Sequence, residues 1–132
     1  MAFPPQAHGW RQKLPKKLKS LARRSALNAR ASEDRVVLVD ALSWDAPKTA
    51  QMVALLGHLD GDGKVLLLTE GNKPNVHLSG RNLQRVRVLP FGEESAYDVL
   101  WAGTVLIERT ALDNMDDTPA KSNNDDATGE EE

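Results

Sequence analysis

The residues most able to do chemistry in this chain are the cations near its N-terminus. Positions 1–32 contain no Asp or Glu and eight basic residues: Arg11, Lys13, Lys16, Lys17, Lys19, Arg23, Arg24 and Arg30. Cations of a single sign can neutralise nucleic-acid phosphates, whereas an ordinary exposed helix mixes both signs for local pairing. The pattern therefore favours a nucleic-acid surface. A solvated basic face, or a helix that binds an acidic membrane or protein, is the alternative.

A helix must position these cations, and the sequence predicts one from Pro15, which suits a first helical turn, to about Ala31. Apolar or small residues at helical spacing predict its core-facing stripe: Leu14, Leu18, Leu21, Ala22, Ser25 and Ala29. The opposite side then carries Lys16, Lys19, Arg23, Arg24 and Arg30. Trp10, Arg11 and Lys13 extend the basic patch. Trp10 could stack on a base or cap the core.

A second, weaker candidate for an RNA contact is the segment 78–83, Leu-Ser-Gly-Arg-Asn-Leu, with Arg85 close behind it. Arginine and asparagine side chains commonly contact nucleic acids, which singles out Arg81, Asn82 and Arg85. Asn82 could equally be a turn residue and Arg81 a plain surface charge.

Motifs for catalysis and cofactor binding are missing from the sequence. The first predicted strand is followed by Asp40-Ala41-Leu42-Ser43-Trp44, without the glycines that a dinucleotide fingerprint requires. The histidines at 8, 58 and 77 have no metal-ligand spacing, there is no cysteine, and no serine lies in a nucleophile elbow. Residues 60–63, Asp-Gly-Asp-Gly, predict a tight turn rather than a calcium loop. We predict no catalytic residues, cofactor, metal or small-molecule substrate.

Four apolar segments alternate with helical ones. Strands are predicted over 36–40, 65–68, 86–89 and 104–107, and the further helical segments over 46–59, 76–83, 95–101 and 110–115. In the second helix, Ala50, Val53, Leu56 and Leu59 are predicted to face the core, and Ser95 is the predicted N-cap of the fourth. The alternation predicts a single α/β domain: a mostly parallel four-stranded sheet with flanking helices, Rossmann-like but without a cofactor site. The strand order does not follow from the sequence.

The charge is segregated along the chain. The net charge is −2, but residues 113–132 carry eight acidic residues against one lysine, and the remainder carries sixteen basic against eleven acidic ones. Such asymmetry is typical of a nucleic-acid-binding domain with an acidic tail. We predict an irregular N-terminal arm over 1–12, a globular RNA-binding domain over 13–115 and a disordered acidic tail over 116–132. The tail is predicted to be solvated, with screening of the basic helix as a secondary hypothesis.

Sequence segments over about residues 3–115 together resemble the large-subunit ribosomal protein uL4 family, in its C-terminal globular part. The matching segments, in order, are Phe3-Pro4-Pro5, 13–17 (Lys-Leu-Pro-Lys-Lys), Ser25-Ala26-Leu27, 36–40, Pro47-Lys48-Thr49, 78–83, 97–100 (Tyr-Asp-Val-Leu), Val105-Leu106 and Ala111-Leu112. Each motif is modest, but their order and spacing are specific. Two departures stand out: the family motif has alanine where Gly80 stands, and the acidic tail is not part of the pattern.

The resemblance implies a structural protein of the large ribosomal subunit, not an enzyme, which binds ribosomal RNA during assembly beside neighbouring ribosomal proteins. It implies a place on cytoplasmic or organellar ribosomes, and in some bacterial members repression of their own operon. The family also lines the peptide exit tunnel through a long loop, which lies upstream of Phe3; residues 3–10 would be its returning end. No apolar run here approaches the ~20 residues of a membrane span, and no secretory signal is evident, so we expect a soluble intracellular protein without a membrane partner. A protein-interaction or translational-regulatory module that uses the basic helix is the alternative, and a nucleotide-binding enzyme the third possibility.

Overall fold

Strands and helices alternate along the part of the chain that the structure, a computed structural model, describes: residues 2–59 and 63–114. The elements are α1 (Lys16–Ser32), β1 (Val36–Val39), α2 (Thr49–Gly57), β2 (Val65–Thr69), α3 (Pro74–Gly80), β3 (Val86–Pro90), α4 (Ala96–Trp101), β4 (Thr104–Glu108) and α5 (Arg109–Asp113). The predicted α/β class is confirmed, since all four strands pair in parallel and helices flank the sheet.

The strands lie in the order β1-β4-β2-β3. The steps from β1 to β2 and from β2 to β3 move across the sheet in one direction, and the step from β3 to β4 moves back. Because parallel crossovers are right-handed, opposite directions place the connecting helices on opposite faces. Accordingly, α2 and α3 cover one face, and α1 and α4 cover the other.

The core has two layers, one on each face of the sheet. Side chains along β2 alternate between them: Leu67 packs with Met52 of α2, while Leu66 and Leu68 pack with Val99 of α4. Every residue of β2 is buried. The continuous apolar runs in the sequence are therefore the signature of strands covered on both faces.

The core-facing side of α2 differs from its predicted side. Met52 is fully buried, whereas Val53 is 52% exposed and Ala50 is exposed. Leu56 and Leu59 do pack against the core, as predicted. The stripe that packs contains Met52, Leu56 and Leu59 at helical spacing, whereas the predicted stripe began at Ala50 and Val53 and was therefore rotated away from the core.

Candidate nucleic-acid interface

The basic helix α1 turns a different side to the core from the one predicted. Leu14, Leu18 and Leu21 are 58%, 52% and 61% exposed, and Ala26 is the buried residue of the helix. Leu27 packs beside Ala26 against the core layer formed by β2, β4 and α4. The prediction that Leu14, Leu18, Leu21, Ala22, Ser25 and Ala29 face the core was therefore wrong.

The contacts of two arginines explain why α1 packs against the core with the side that contains Ala26. Arg23 Nε lies 2.6 Å from Oε1 of Glu94, whose side chain is fully buried, and the Arg23 guanidinium lies over the Phe91 ring at 5.5 Å. Arg30 donates to the carbonyl oxygens of Val99 and Leu100 at 3.3 and 2.8 Å. A buried acid and the C-terminal carbonyls of α4 thus hold two cations that the sequence predicted on the solvent side.

The other cations of the N-terminal patch face solvent. Exposed side chains are found at Arg11, Lys13, Lys16, Lys17, Lys19 and Arg24, and within residues 2–59 and 63–114 none of them forms an ion pair. Lys17, Arg24 and Asn28 line an open groove of about 760 Å³ against Leu27 and Phe91, with Arg23 at its wall. The groove combines cations with an apolar floor, which suits a nucleic-acid backbone and a base.

Trp10 lies outside the core. Its side chain is 82% exposed, and its ring stands 4.2 Å from that of His8, measured between ring centroids. The interpretation of Trp10 as a cap on the core is therefore wrong. Its exposed ring is free in geometric terms to stack on a base.

The second predicted surface lies where α3 ends and β3 begins. Arg81, Asn82 and Arg85 are all exposed. The preceding residue, Gly80, is buried, and a Cβ atom there would lie 2.7 Å from Cγ2 of Val88. The glycine that departs from the family motif is thus required by the close packing of α3 on β3 in this chain.

The sequence did not identify Arg35, Lys64 and Trp101 as candidate RNA-contacting residues. Lys64 Nζ lies 5.3 Å from the centroid of the Trp101 ring, and the Arg87 guanidinium lies over the same ring at 4.3 Å. Arg87 also pairs with Asp98 at 2.8 Å. The signal that could have found the cations was their position directly before a predicted strand, at 35, 64 and 85.

An ion pair between Lys73 and Glu108 lies in the crevice at the carboxyl ends of the strands. Parallel α/β domains commonly bind ligands in this crevice. Here Glu108, 0% exposed, accepts hydrogen bonds from the backbone N–H groups of Leu42 (2.9 Å) and Glu70 (2.8 Å) and from Lys73 Nζ. Lys73 and Glu108 neutralise each other, so this pair offers no net positive charge to a phosphate.

The described parts of the chain were also compared with the requirements of a metal site and of a membrane-spanning helix. No group of three or more His, Asp or Glu side chains there is placed to hold a metal ion, and no helix there is long and apolar enough to cross a membrane. The predicted turn at Asp60-Gly61-Asp62 and the predicted acidic tail at 116–132 lie outside the described residues.

Comparisons with known proteins agree with the resemblance seen in the motifs. The model of the family described as "Ribosomal protein L4/L1 family" matches residues 1–118. Proteins named "Large ribosomal subunit protein uL4" are 40% identical in Chlorobium chlorochromatii (strain CaD3) and 38% identical in Chlorobium phaeovibrioides (strain DSM 265 / 1930), each over 117 residues. That alignment covers 88% of this chain but 56% of each relative, so the chain spans about half the length of these relatives. The chain belongs to the ribosomal protein L4/L1 family.

Proposed function

We propose that this chain is a structural, non-catalytic protein of the large ribosomal subunit that binds large-subunit ribosomal RNA. The observation that carries the proposal is the set of exposed cations on and just before the first half of α1, which form no ion pair within the described residues. The residues predicted to contact phosphates are Lys13, Lys16, Lys17, Lys19, Arg23 and Arg24, and Arg11 extends this patch. Arg23 contributes less, because Glu94 already neutralises its charge.

The remaining predicted contacts have different chemistry. Trp10 offers an aromatic face for stacking, and Arg81, Asn82 and Arg85 offer a second polar surface. Residues 13–115 act as the RNA-binding domain in this proposal, with 1–12 as an arm that adds Trp10 and Arg11. The partners are ribosomal RNA and neighbouring ribosomal proteins, on ribosomes of the cytoplasm.

Binding should be measured by fluorescence anisotropy with a fragment from the 5′ region of large-subunit ribosomal RNA, against an unrelated structured RNA, across a salt series. Preference for the ribosomal fragment that persists at about 150 mM salt supports the proposal. Equal and steeply salt-dependent binding to both RNAs contradicts it, because a generic basic patch gives that result.

A pair of matched variants tests the role of α1. Lys17→Gln with Arg24→Gln removes two cations from the groove, and Lys48→Gln with Arg109→Gln removes two exposed cations elsewhere. We expect the first pair to make the negative slope of log K against log salt less steep by about 1.4–1.8. Each lost phosphate contact reduces the magnitude of this slope by about 0.7–0.9. The second pair should leave the slope unchanged.

One observation favours a second candidate, a protein-interaction module. Leu14, Leu18 and Leu21 form an exposed apolar stripe beside the cations, which suits an amphipathic helix with acidic flanks. Leu14→Gln with Leu18→Gln would then abolish binding of an acidic amphipathic peptide and leave RNA affinity unchanged. The protein-interaction function is supported if the wild-type chain binds that peptide tightly and shows no preference for ribosomal RNA.

A further inference from the structure

Three cations stand directly before three of the four strands: Arg35 before β1, Lys64 before β2 and Arg85 before β3. Backbone hydrogen bonds connect these positions across the sheet through the start of β4. The N–H of Val105 donates to the carbonyl of Arg35 at 2.9 Å, that of Gly103 to Lys64 at 2.8 Å, and that of Val65 to Arg85 at 2.7 Å. Lys64 and Arg85 are in register, whereas Arg35 is offset from them by one residue, because its neighbour on β4 is Thr104. With neighbouring strands about 4.8 Å apart, the three residues form a staggered row about 15 Å long at the amino end of the sheet.

The row is exposed, and its three cations form no ion pair with any residue that the structure describes. All three side chains face solvent, whereas the ion pairs found in residues 2–59 and 63–114 involve Arg23, Arg30, Lys73 and Arg87. The nearby Glu33 is already paired with Arg30 at 2.7 Å. Asp34, exposed beside Arg35, is the adjoining acid within the described residues; Asp60 and Asp62 lie outside them.

Two features prepare the row for an anion. Lys64 lies over the Trp101 ring at 5.3 Å, which limits the freedom of its flexible side chain before any ligand arrives. Beside Lys64, the residue that precedes β4 is Gly103, which has no side chain to block the approach of a phosphate. Arg81, exposed four residues before Arg85, extends the same end of the domain.

We propose that Arg35, Lys64 and Arg85, with Arg81, form an amino-end surface that binds phosphates of a ribosomal RNA segment separate from the one bound at α1. The inference rests on the proposed function and extends its second polar surface, which includes Arg81 and Arg85, to Arg35 and Lys64. The cations of α1 lie toward the other end of the domain, since Lys19 is thirteen residues and therefore about 20 Å along the helix from Ser32. One phosphate cannot contact both surfaces. Contacts at both would fix the orientation of the domain on the RNA.

Charge favours RNA over an acidic protein as the partner of this surface. The row consists of cations and a glycine, whereas the centres of protein interfaces are depleted of charge and anchored by buried apolar side chains. The exposed apolar stripe of this chain lies instead on the first half of α1.

The test uses the full chain with a large-subunit ribosomal RNA fragment in the same salt series. The variant carries Arg35→Gln and Lys64→Gln; the control carries Lys48→Gln and Arg109→Gln, which removes equal charge at the carboxyl end of the sheet. We expect the variant to bind on the order of ten-fold more weakly at 150 mM salt, with the salt slope reduced by about 1.4–1.8. Arg35→Lys with Lys64→Arg keeps both charges and should retain the wild-type slope. Thermal unfolding of each protein checks that the fold is intact.

Three outcomes would overturn the inference. If the Arg35→Gln, Lys64→Gln variant binds RNA as the control does, the amino-end surface does not bind RNA, and α1 remains the proposed RNA surface. A variant that loses affinity for poly-glutamate but not for RNA assigns the row to an acidic protein. A wild-type chain that does not bind the ribosomal fragment overturns the proposed function itself, and this inference with it.

Discussion

Arg23 and Glu94 join the middle of α1 to the loop before α4 through a contact of 2.6 Å between Nε and Oε1. Glu94 has a fully buried side chain, and its second carboxylate oxygen accepts a hydrogen bond from the backbone N–H of Gly92 at 2.6 Å. The position of α1 therefore depends on a buried charge that one arginine neutralises. This pair, rather than an apolar stripe, orients the basic helix.

Replacing Arg23 with glutamine should destabilise the domain. Glu94 would remain buried with its charge uncompensated, so we expect the free energy of unfolding in urea to fall by about 2–4 kcal/mol at neutral pH. Arg24→Gln is the matched control, since Arg24 is exposed and unpaired in the described structure, and its effect should stay within about 0.5 kcal/mol. Equal losses for the two variants would contradict a structural role for the Arg23–Glu94 pair.

Glu108 makes the stability of the domain sensitive to acid. Burial by itself would raise the pKa of Glu108, but the hydrogen bonds from Lys73 and from the backbone N–H groups of Glu70 and Leu42 hold that pKa below its usual value of 4.5. A carboxyl whose pKa is lower in the folded state stabilises the fold above its unfolded pKa. That contribution is lost as the pH falls through the folded value.

We therefore expect stability to fall below about pH 4.5 in the wild type and to fall less steeply in Glu108→Gln. At neutral pH the variant should be less stable by about 3 kcal/mol, because Lys73 loses its buried partner. Urea unfolding from pH 7 to pH 3 measures both effects. Glu93→Gln, at an exposed carboxyl, should follow the wild-type curve; a Glu108→Gln curve parallel to wild type would refute the assignment.

Substitution by alanine should change the stability of the domain in opposite directions at Gly80 and at Gly57. A Cβ at Gly80 would meet Cγ2 of Val88 at 2.7 Å and Cε of Met52 at 3.2 Å, so Gly80→Ala should cost about 1–2 kcal/mol through overpacking. A Cβ at Gly57 meets nothing within 4 Å, so Gly57→Ala should stabilise by about 0.4–1 kcal/mol. Thermal unfolding compares them, and stabilisation by both would show that α3 packs less closely on β3 than described.

Trp10 should matter for RNA and not for folding. Its side chain is 82% exposed, so Trp10→Ala should leave the free energy of unfolding unchanged within about 0.5 kcal/mol. If its ring stacks on an unpaired base, the same variant should lose about 1–3 kcal/mol of affinity for an RNA with a single-stranded loop. Phe3→Ala, at another exposed aromatic ring, is the control. Equal RNA affinity of Trp10→Ala and wild type would exclude the stacking role.

Local sequence patterns were enough to predict the elements and the class of the fold. The apolar runs that became β2 and β4 indicated strands buried on both faces, and helical segments between them required parallel crossovers. The N-cap at Ser95 was also predictable, and its capping box with Asp98 is present. These features depend on residues within one turn or one strand of each other, which the sequence displays directly.

The tertiary structure alone decided the strand order, the side of α1 that packs and the row at the amino end of the sheet. Helical periodicity defines a stripe but not which stripe is buried, and α1 buries Ala26 because Glu94, 68 residues later in the sequence, supplies a partner for Arg23. Likewise Arg35, Lys64 and Arg85 are brought to one end of the sheet through pairing between strands that are distant in the chain. The sequence by itself determined that the chain carries a basic segment and a parallel sheet. Which cations remain free to bind depends on long-range contacts, because only these contacts supply the partners that neutralise the others.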